Sequence, residues 1–142
     1  MSAQADLVEA GDRWLLPLSG LRVTRCLVDF SFGLELLADH QFFTLTIEQA
    51  FNVAIAGSGM AEITPAADPA SVCPALALLD RVVQDATAFK DGRLDVRFSD
   101  GSTLTVDPHP QFEAWNLTSD SGVRMVALPG GGVASWPPRS EG

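Results

Sequence analysis

The stretch FSDGSTLTVDPHPQFEAWNL, Phe98 to Leu117, gathers most of the residues whose types could do chemistry. It carries Asp100, Asp107 and Glu113, with Asp95 just ahead, His109 between two prolines, and Trp115 closing a Glu-Ala-Trp. Paired carboxylates can run acid–base chemistry on a glycosidic bond only when held at a defined separation around a cleft. Two of these acids have simpler duties: Asp100 belongs to a Ser-Asp-Gly turn and Asp107 ends a strand. Glu113 differs, because it follows a chain break and has apolar neighbours. It can act as an acidic contact beside an aromatic. In the structural alternative, Trp115 and Phe112 plug one end of the fold while Glu113 bonds nearby backbone. Asp100, Asp107, Glu113 and Trp115 are the candidate binding residues, and no residue is assigned a catalytic role.

The other familiar constellations do not assemble. His40 and His109 are the two histidines, neither with a second ligand at metal spacing. Ala56-Gly-Ser-Gly-Met60 departs from the G-x-S-x-G elbow, and Glu62 stands where a dinucleotide loop needs its third glycine. Pro129-Gly-Gly-Gly132 has no following Lys or Ser/Thr for a phosphate and reads as a wide hairpin turn. No metal and no cofactor is expected. Trp14, Trp115 and Trp136 read as core, since aromatics bury the most area in a small domain.

The elements that would position these residues are mostly strands. Residues 1–13 read as a polar, flexible lead-in, with residues 1 to 12 resembling a frayed helix. Trp14 to Gly20 is an apolar entry segment closed by a turn. Val28, Phe30, Phe32, Leu34 and Leu36 fall at period two, the spacing of one strand face. Such a strand is long, so Gly33 is expected at a bulge, a bend or a hairpin boundary. Ala38 to Gln41 supplies a turn, Phe42 to Glu48 a strand and Phe51 to Ala56 another. Gly57-Ser-Gly59 opens a loop. Asp68-Pro69 then starts a helix, with Asp as cap and Pro at the first position. Its apolar stripe is Val72, Ala75, Leu76 and Leu79, and Pro74 places the regular part from Cys73 onward.

Strands resume near Arg81. A two-residue Asp100-Gly101 turn would mix faces across the next hairpin. A three-residue loop, Ser99 to Gly101, instead sets Val96 opposite Leu104 and Leu94 opposite Val106, with Gly101 at the left-handed position. Asp107 to Pro110 breaks the strand, and Gln111 to Trp115 is a single helical turn or an irregular crossing. Val123 to Leu128 and Val133 to Trp136 form a last hairpin, and residues 137–142 a disordered tail.

The two halves also repeat. Arg22-Val23 recurs as Arg81-Val82, Phe30 as Phe89, Gly33 as Gly92, and Thr44 to Glu48 as Thr103 to Asp107, all 59 positions apart. That single offset predicts two three-stranded meanders, in residues 21–56 and 80–118, linked by a helix over about residues 68–79. One meander cannot bury its apolar face alone, whereas two can. The expected fold is α+β: mainly antiparallel strands in a sandwich, roll or partly open barrel, as one domain over residues 14–136.

Composition bounds the function. The 142 residues hold 18 acidic and 9 basic side chains, a net charge of −9 and a pI near 4.4. Such a surface repels phosphate backbones and anionic lipid, which argues against nucleic-acid and membrane partners. The N-terminus shows no secretory pattern and no apolar run reaches the roughly 20 residues that span a bilayer, so a cytoplasmic protein is expected. Cys26 and Cys73 read as buried free thiols.

FSDGSTLTV (Phe98 to Val106), Glu113 to Trp115, and LPGGGVASW (Leu128 to Trp136) together resemble an uncharacterised, mainly actinobacterial domain family of unknown function. LRVTRCLVDF (Leu21 to Phe30) resembles its opening strand. The resemblance spans about residues 15 to 136 and implies a fold and a bacterial host but no site residues. By analogy, small acidic domains of this kind serve as immunity or accessory proteins.

The expected function is a non-enzymatic, cytoplasmic protein-binding module of immunity or accessory type that presents its acidic surface to a basic protein partner. The alternative is a small-molecule-binding barrel or weak hydrolase with its site near Glu113 and Trp115. A homodimer pairing edge strands is a third reading, so a monomer or homodimer is expected.

Overall fold

The computed structural model describes residues 7–136. Both termini of the sequence reading, residues 1–6 and the tail at 137–142, lie outside these described residues. The chain forms two antiparallel sheets that enclose one apolar core, a sandwich-like arrangement in place of a closed barrel.

Two three-stranded meanders form, over residues 22–47 and 83–106, and the two lie in different sheets. They are shorter than 21–56 and 80–118 because the strand after each crosses over. The first is β3 (Arg22–Val28), β4 (Phe32–Ala38) and β5 (Gln41–Ile47), counting β1 (Val8–Ala10) and β2 (Arg13–Leu15) ahead of it. After β6 (Phe51–Ile55), β7 (Gly59–Ile63) and a 3-10 helix (Pro69–Leu78), the second is β8 (Val83–Phe89), β9 (Leu94–Phe98) and β10 (Thr103–Val106). The chain ends in β11 (Trp115–Ser119), β12 (Arg124–Ala127) and β13 (Val133–Trp136).

The strand that follows each meander crosses to the other sheet. β6 leaves the first meander and pairs with β10 of the second; β11 leaves the second and pairs with β5 of the first. The sheets are therefore β1-β2-β8-β9-β10-β6-β7 and β13-β12-β11-β5-β4-β3. The register repeats as well. Thr44 pairs with Thr118 and Leu45 with Leu117, while Thr103, 59 positions after Thr44, pairs with Ala54 and Leu104 with Val53. Both β3 and β8 carry a bulge near their start, between Val23 and Arg25 and between Val83 and Asp85. The two starts also clasp each other, through Val23 N–H to Arg81 O and Val83 N–H to Leu21 O, each 2.8 Å.

The β9–β10 hairpin has the three-residue loop and the register expected, with Val96 opposite Leu104 and Leu94 opposite Val106. Gly101 sits at φ +93°, where only glycine is unstrained. The loop is tied to the neighbouring hairpin by Ser102, fully buried, whose Oγ accepts the Ala56 N–H at 3.0 Å. Across the core, the rings of Phe32 on β4 and Phe51 on β6 stack with centroids 5.6 Å apart. Burying side chains of that size stabilises by about 1.5–3 kcal/mol each.

Several expectations are corrected. The lead-in is a hairpin: β1 pairs β2, which pairs β8, so residues 8–15 extend a sheet. The period-two run breaks at Asp29 to Ser31, because Asp29 Oδ1 accepts the Ser31 N–H at 2.6 Å and hydroxyl at 2.8 Å. A local Asx-type turn outcompetes continued alternation, and it leaves Phe30 72% exposed at the tip. Gly33 lies inside β4 opposite Leu27, where a Cβ would meet the Leu27 side chain at 3.2 Å; close packing explains it. Gly57-Ser-Gly59 leads into β7, which pairs with β6 despite its weak strand composition.

The helix keeps its Asp68 cap, which accepts the Ala70 N–H at 3.1 Å, and its Pro69 start. It is 3-10 throughout, so Val72, Ala75 and Leu78 at strict spacing of three face inward, while Leu76 and Leu79 point out. Cys26 is half-buried, Cys73 is exposed, and both are free. Burial pushes the Cys26 thiol pKa up.

Gly92 sits at φ +105° and a Cβ there would fall 2.8 Å from the Pro108 ring. We expect Gly92→Ala to cost about 2–3 kcal/mol in denaturant unfolding. Gly101→Ala, where nothing lies within 4 Å, should cost roughly half as much.

Candidate functional site

The structure separates the four residues singled out from the sequence. Trp115 opens β11 opposite Ile47, is fully buried, and donates Nε1–H to Gly92 O at 3.0 Å. It belongs to the core; Trp14 is half-buried and packs against that core, while Trp136 is 47% exposed under Arg124. Asp100 is held in its turn, Oδ1 accepting the Ser102 N–H at 2.9 Å and Oδ2 pairing with Arg81 Nε at 2.9 Å. The Ser102 N–H, followed by the Ser102 hydroxyl and then Arg81, holds its carboxyl below the ordinary carboxylate range. Asp107 is exposed at the far end of β10 from Asp100. Glu113 is exposed too, and it does meet other polar groups.

Glu113 lines an open groove of about 370 Å³ with Gln111, Phe112, Glu48, Gln49 and Pro129. One wall comes from the short crossover between β5 and β6, the other from the long crossover between β10 and β11. Glu48 N–H donates to Ala114 O at 2.9 Å and sets the crossovers side by side.

The long crossover is irregular, as one sequence alternative had it, and firmly held. His109 Nδ1 accepts the N–H groups of Gln111 at 3.0 Å and Phe112 at 3.2 Å, so this nitrogen carries no proton. Gly130 N–H donates to His109 O at 2.8 Å, docking the Pro129 to Gly132 loop onto the crossover. Phe112 does not plug the fold. It is 56% exposed, its ring tilted against His109 at 5.2 Å. His40 is exposed in the β4–β5 turn.

Charge around the groove is uncompensated. Arg13, Arg22, Arg25, Arg81, Lys90 and Arg93 each pair with a carboxylate, none of them in the groove. Among the described residues, Glu48 and Glu113 take part in no ion pair. Also among these residues, no group of three or more His, Cys, Asp or Glu is placed to hold a metal ion. No described helix is long and apolar enough to cross a membrane.

Glu48, Gln49, Gln111 and Pro129 were missed as site residues. The structure shows a signal at Gln111 alone: the repeat offset, 59 up to Asp107, becomes 64 for the equivalent positions of the strands that follow (Ala54 with Thr118, Val53 with Leu117). Five residues are inserted in the second crossover, and they build one wall of the groove.

Fold and site together define a two-sheet, internally duplicated antiparallel domain with an acidic, aromatic-edged groove at its crossovers. The chain belongs to the family of unknown function DUF6188, which matches it over residues 14–137. No curated protein and no solved structure matches it.

Two outcomes test this geometry. His109→Ala should lower stability by about 1 kcal/mol, while His109→Asn, whose side-chain oxygen can accept the same N–H groups, should recover most of it in thermal melts. Asp100→Ala should cost at most about 1 kcal/mol at pH 7, since solvent screens the 30%-exposed carboxylate. A lowered folded-state pKa stabilises above the unfolded value and is lost as pH falls through the folded one. The Asp100→Ala deficit should therefore close below about pH 4 in urea titrations at stepped pH.

Proposed function

We propose that this protein is a non-enzymatic binding module, of immunity or accessory type, whose acidic surface receives a basic protein partner. The observation that carries the reading is the distribution of charge. Within a net charge of −9, most described cations are taken up in ion pairs, and the carboxylates flanking the groove are left free to attract a cationic surface. The same field argues against nucleic-acid and anionic-membrane partners. A cytoplasmic setting in a bacterial, mainly actinobacterial, host completes the proposal and follows from the sequence patterns above.

A small-molecule-binding barrel or weak hydrolase near Glu113 and Trp115 has less behind it. Trp115 is committed to the core, the space between the sheets is filled by side chains such as Phe32, Phe51 and Phe98, and the groove is open.

The test is a pull-down with tagged protein from lysate of its host at low and high salt, read by mass spectrometry. The expected result is a basic protein recovered at low salt and lost at high salt, as screening shortens the reach of the field. A blank at both, or a partner retained regardless of salt, would overturn the electrostatic basis.

A further inference from the structure

The inserted crossover lengthens the second half of the duplication by five residues relative to the first. Three residues, 48–50, join β5 to β6, whereas eight, 107–114, join β10 to β11. Ordering five extra residues costs conformational entropy that the fold itself does not require, because the first half makes the same crossing without them. The insertion is nonetheless clamped. His109 Nδ1 holds two of its N–H groups, Gly130 bonds the His109 carbonyl, and the Pro108 ring packs against Gly92.

What this rigid segment displays is an aromatic ring left half in solvent, flanked by Gln111 and Glu113, with Glu48 and Gln49 on the facing wall. The groove thus offers two carboxylates, two amide oxygens and one aromatic face, and its lining contains no cation. Arginine matches every part of that set. Its guanidinium has five N–H donors in one plane for carboxylate and amide oxygens, and its flat face can lie on Phe112. Lysine, a compact point charge, uses the carboxylates but gains less from the ring and from planar hydrogen bonding.

We infer that this groove is the docking point for a single arginine side chain of the basic partner, paired with Glu48 and Glu113 and stacked on Phe112. The inference rests on the binding-module reading and names the contact through which it works.

The test is an NMR titration of the ¹⁵N-labelled full chain with a capped Gly-Gly-Arg-Gly-Gly peptide, and with the same peptide carrying lysine or citrulline. Shifts should concentrate at residues 48–49 and 111–113, with an affinity on the order of millimolar for so small a probe. Lysine should bind about three-fold more weakly, and citrulline, isosteric but uncharged, about ten-fold more weakly. Phe112→Ala should erase the preference for arginine over lysine. The Glu48→Gln, Glu113→Gln double variant should reduce the arginine peptide to citrulline behaviour. All three changes are at exposed positions, and unchanged spectra elsewhere will show that the fold is kept.

Equal responses to arginine and lysine, spread over carboxylates remote from the groove such as Asp39 and Glu62, would overturn the inference. So would no shift at the groove by about 10 mM peptide. The two proposals fail separately. A basic protein captured equally well by wild type and by a Phe112→Ala, Glu113→Gln variant removes the arginine groove and leaves the binding module. A blank pull-down beside a specific peptide response removes the protein partner and leaves the groove.

Discussion

The structure depends on one exchange: each half lends a strand to the sheet of the other. A three-stranded meander ends in a strand with an open edge, whose N–H and C=O groups must find partners. β10 finds them on β6 and β5 on β11, so the last strand of each meander is completed by the chain that left its counterpart. The constraint is reciprocal. Neither half can close its own sheet, and the apolar faces of both sheets are brought together by the crossings that complete them. The long-range antiparallel contact of Arg22 with Val82, where the two meanders begin, closes the arrangement at the other side.

A second knot of contacts gathers at the crossovers. Trp115 Nε1 bonds the Gly92 carbonyl, Pro108 packs where Gly92 has no side chain, and Gly131 would place a Cβ 3.2 Å from Asp91 O. The glycine-rich loop at Pro129 to Gly132, the β8–β9 turn and the Pro-His-Pro segment are thus parts of one junction. Glycines that resemble a ligand cradle in one dimension serve close backbone approach in three. Two of the motifs that carry the family resemblance, Glu113 to Trp115 and the glycine loop of Leu128 to Trp136, are here, and in this chain they join the crossovers to the β8–β9 turn while leaving Phe112, Glu48 and Glu113 exposed at the rim.

This division explains why the groove is polar and aromatic while the layer beneath it is apolar. Ala114 and Trp115 are buried immediately after exposed Phe112 and Glu113. The chain passes from solvent to core within two residues, which an irregular crossing permits and a regular strand or helix, with its fixed side-chain period, does not. The hydrogen bonds of the junction fix the backbone that carries these exposed side chains.

Register within the β9–β10 hairpin, the duplication, the Asp68-Pro69 helix start and the acidic character could all be read from the sequence, because short-range chemistry decides them. Face alternation and a glycine at a left-handed position leave one acceptable pairing for β9 and β10. What local pattern could not decide was partnership across distance. β7 has almost no strand composition and forms because β6 offers it an edge. The Val28 to Leu36 alternation yields to a turn at Asp29, and the 3-10 helix turns Leu76 and Leu79 outward by packing at a spacing of three. The candidate site divides in the same way. Glu113 was visible as an acid after a chain break, but whether Trp115 or Phe112 stood beside it depended on which sheet β11 joined. That choice belongs to non-local hydrogen bonding and burial, and only the tertiary structure makes it.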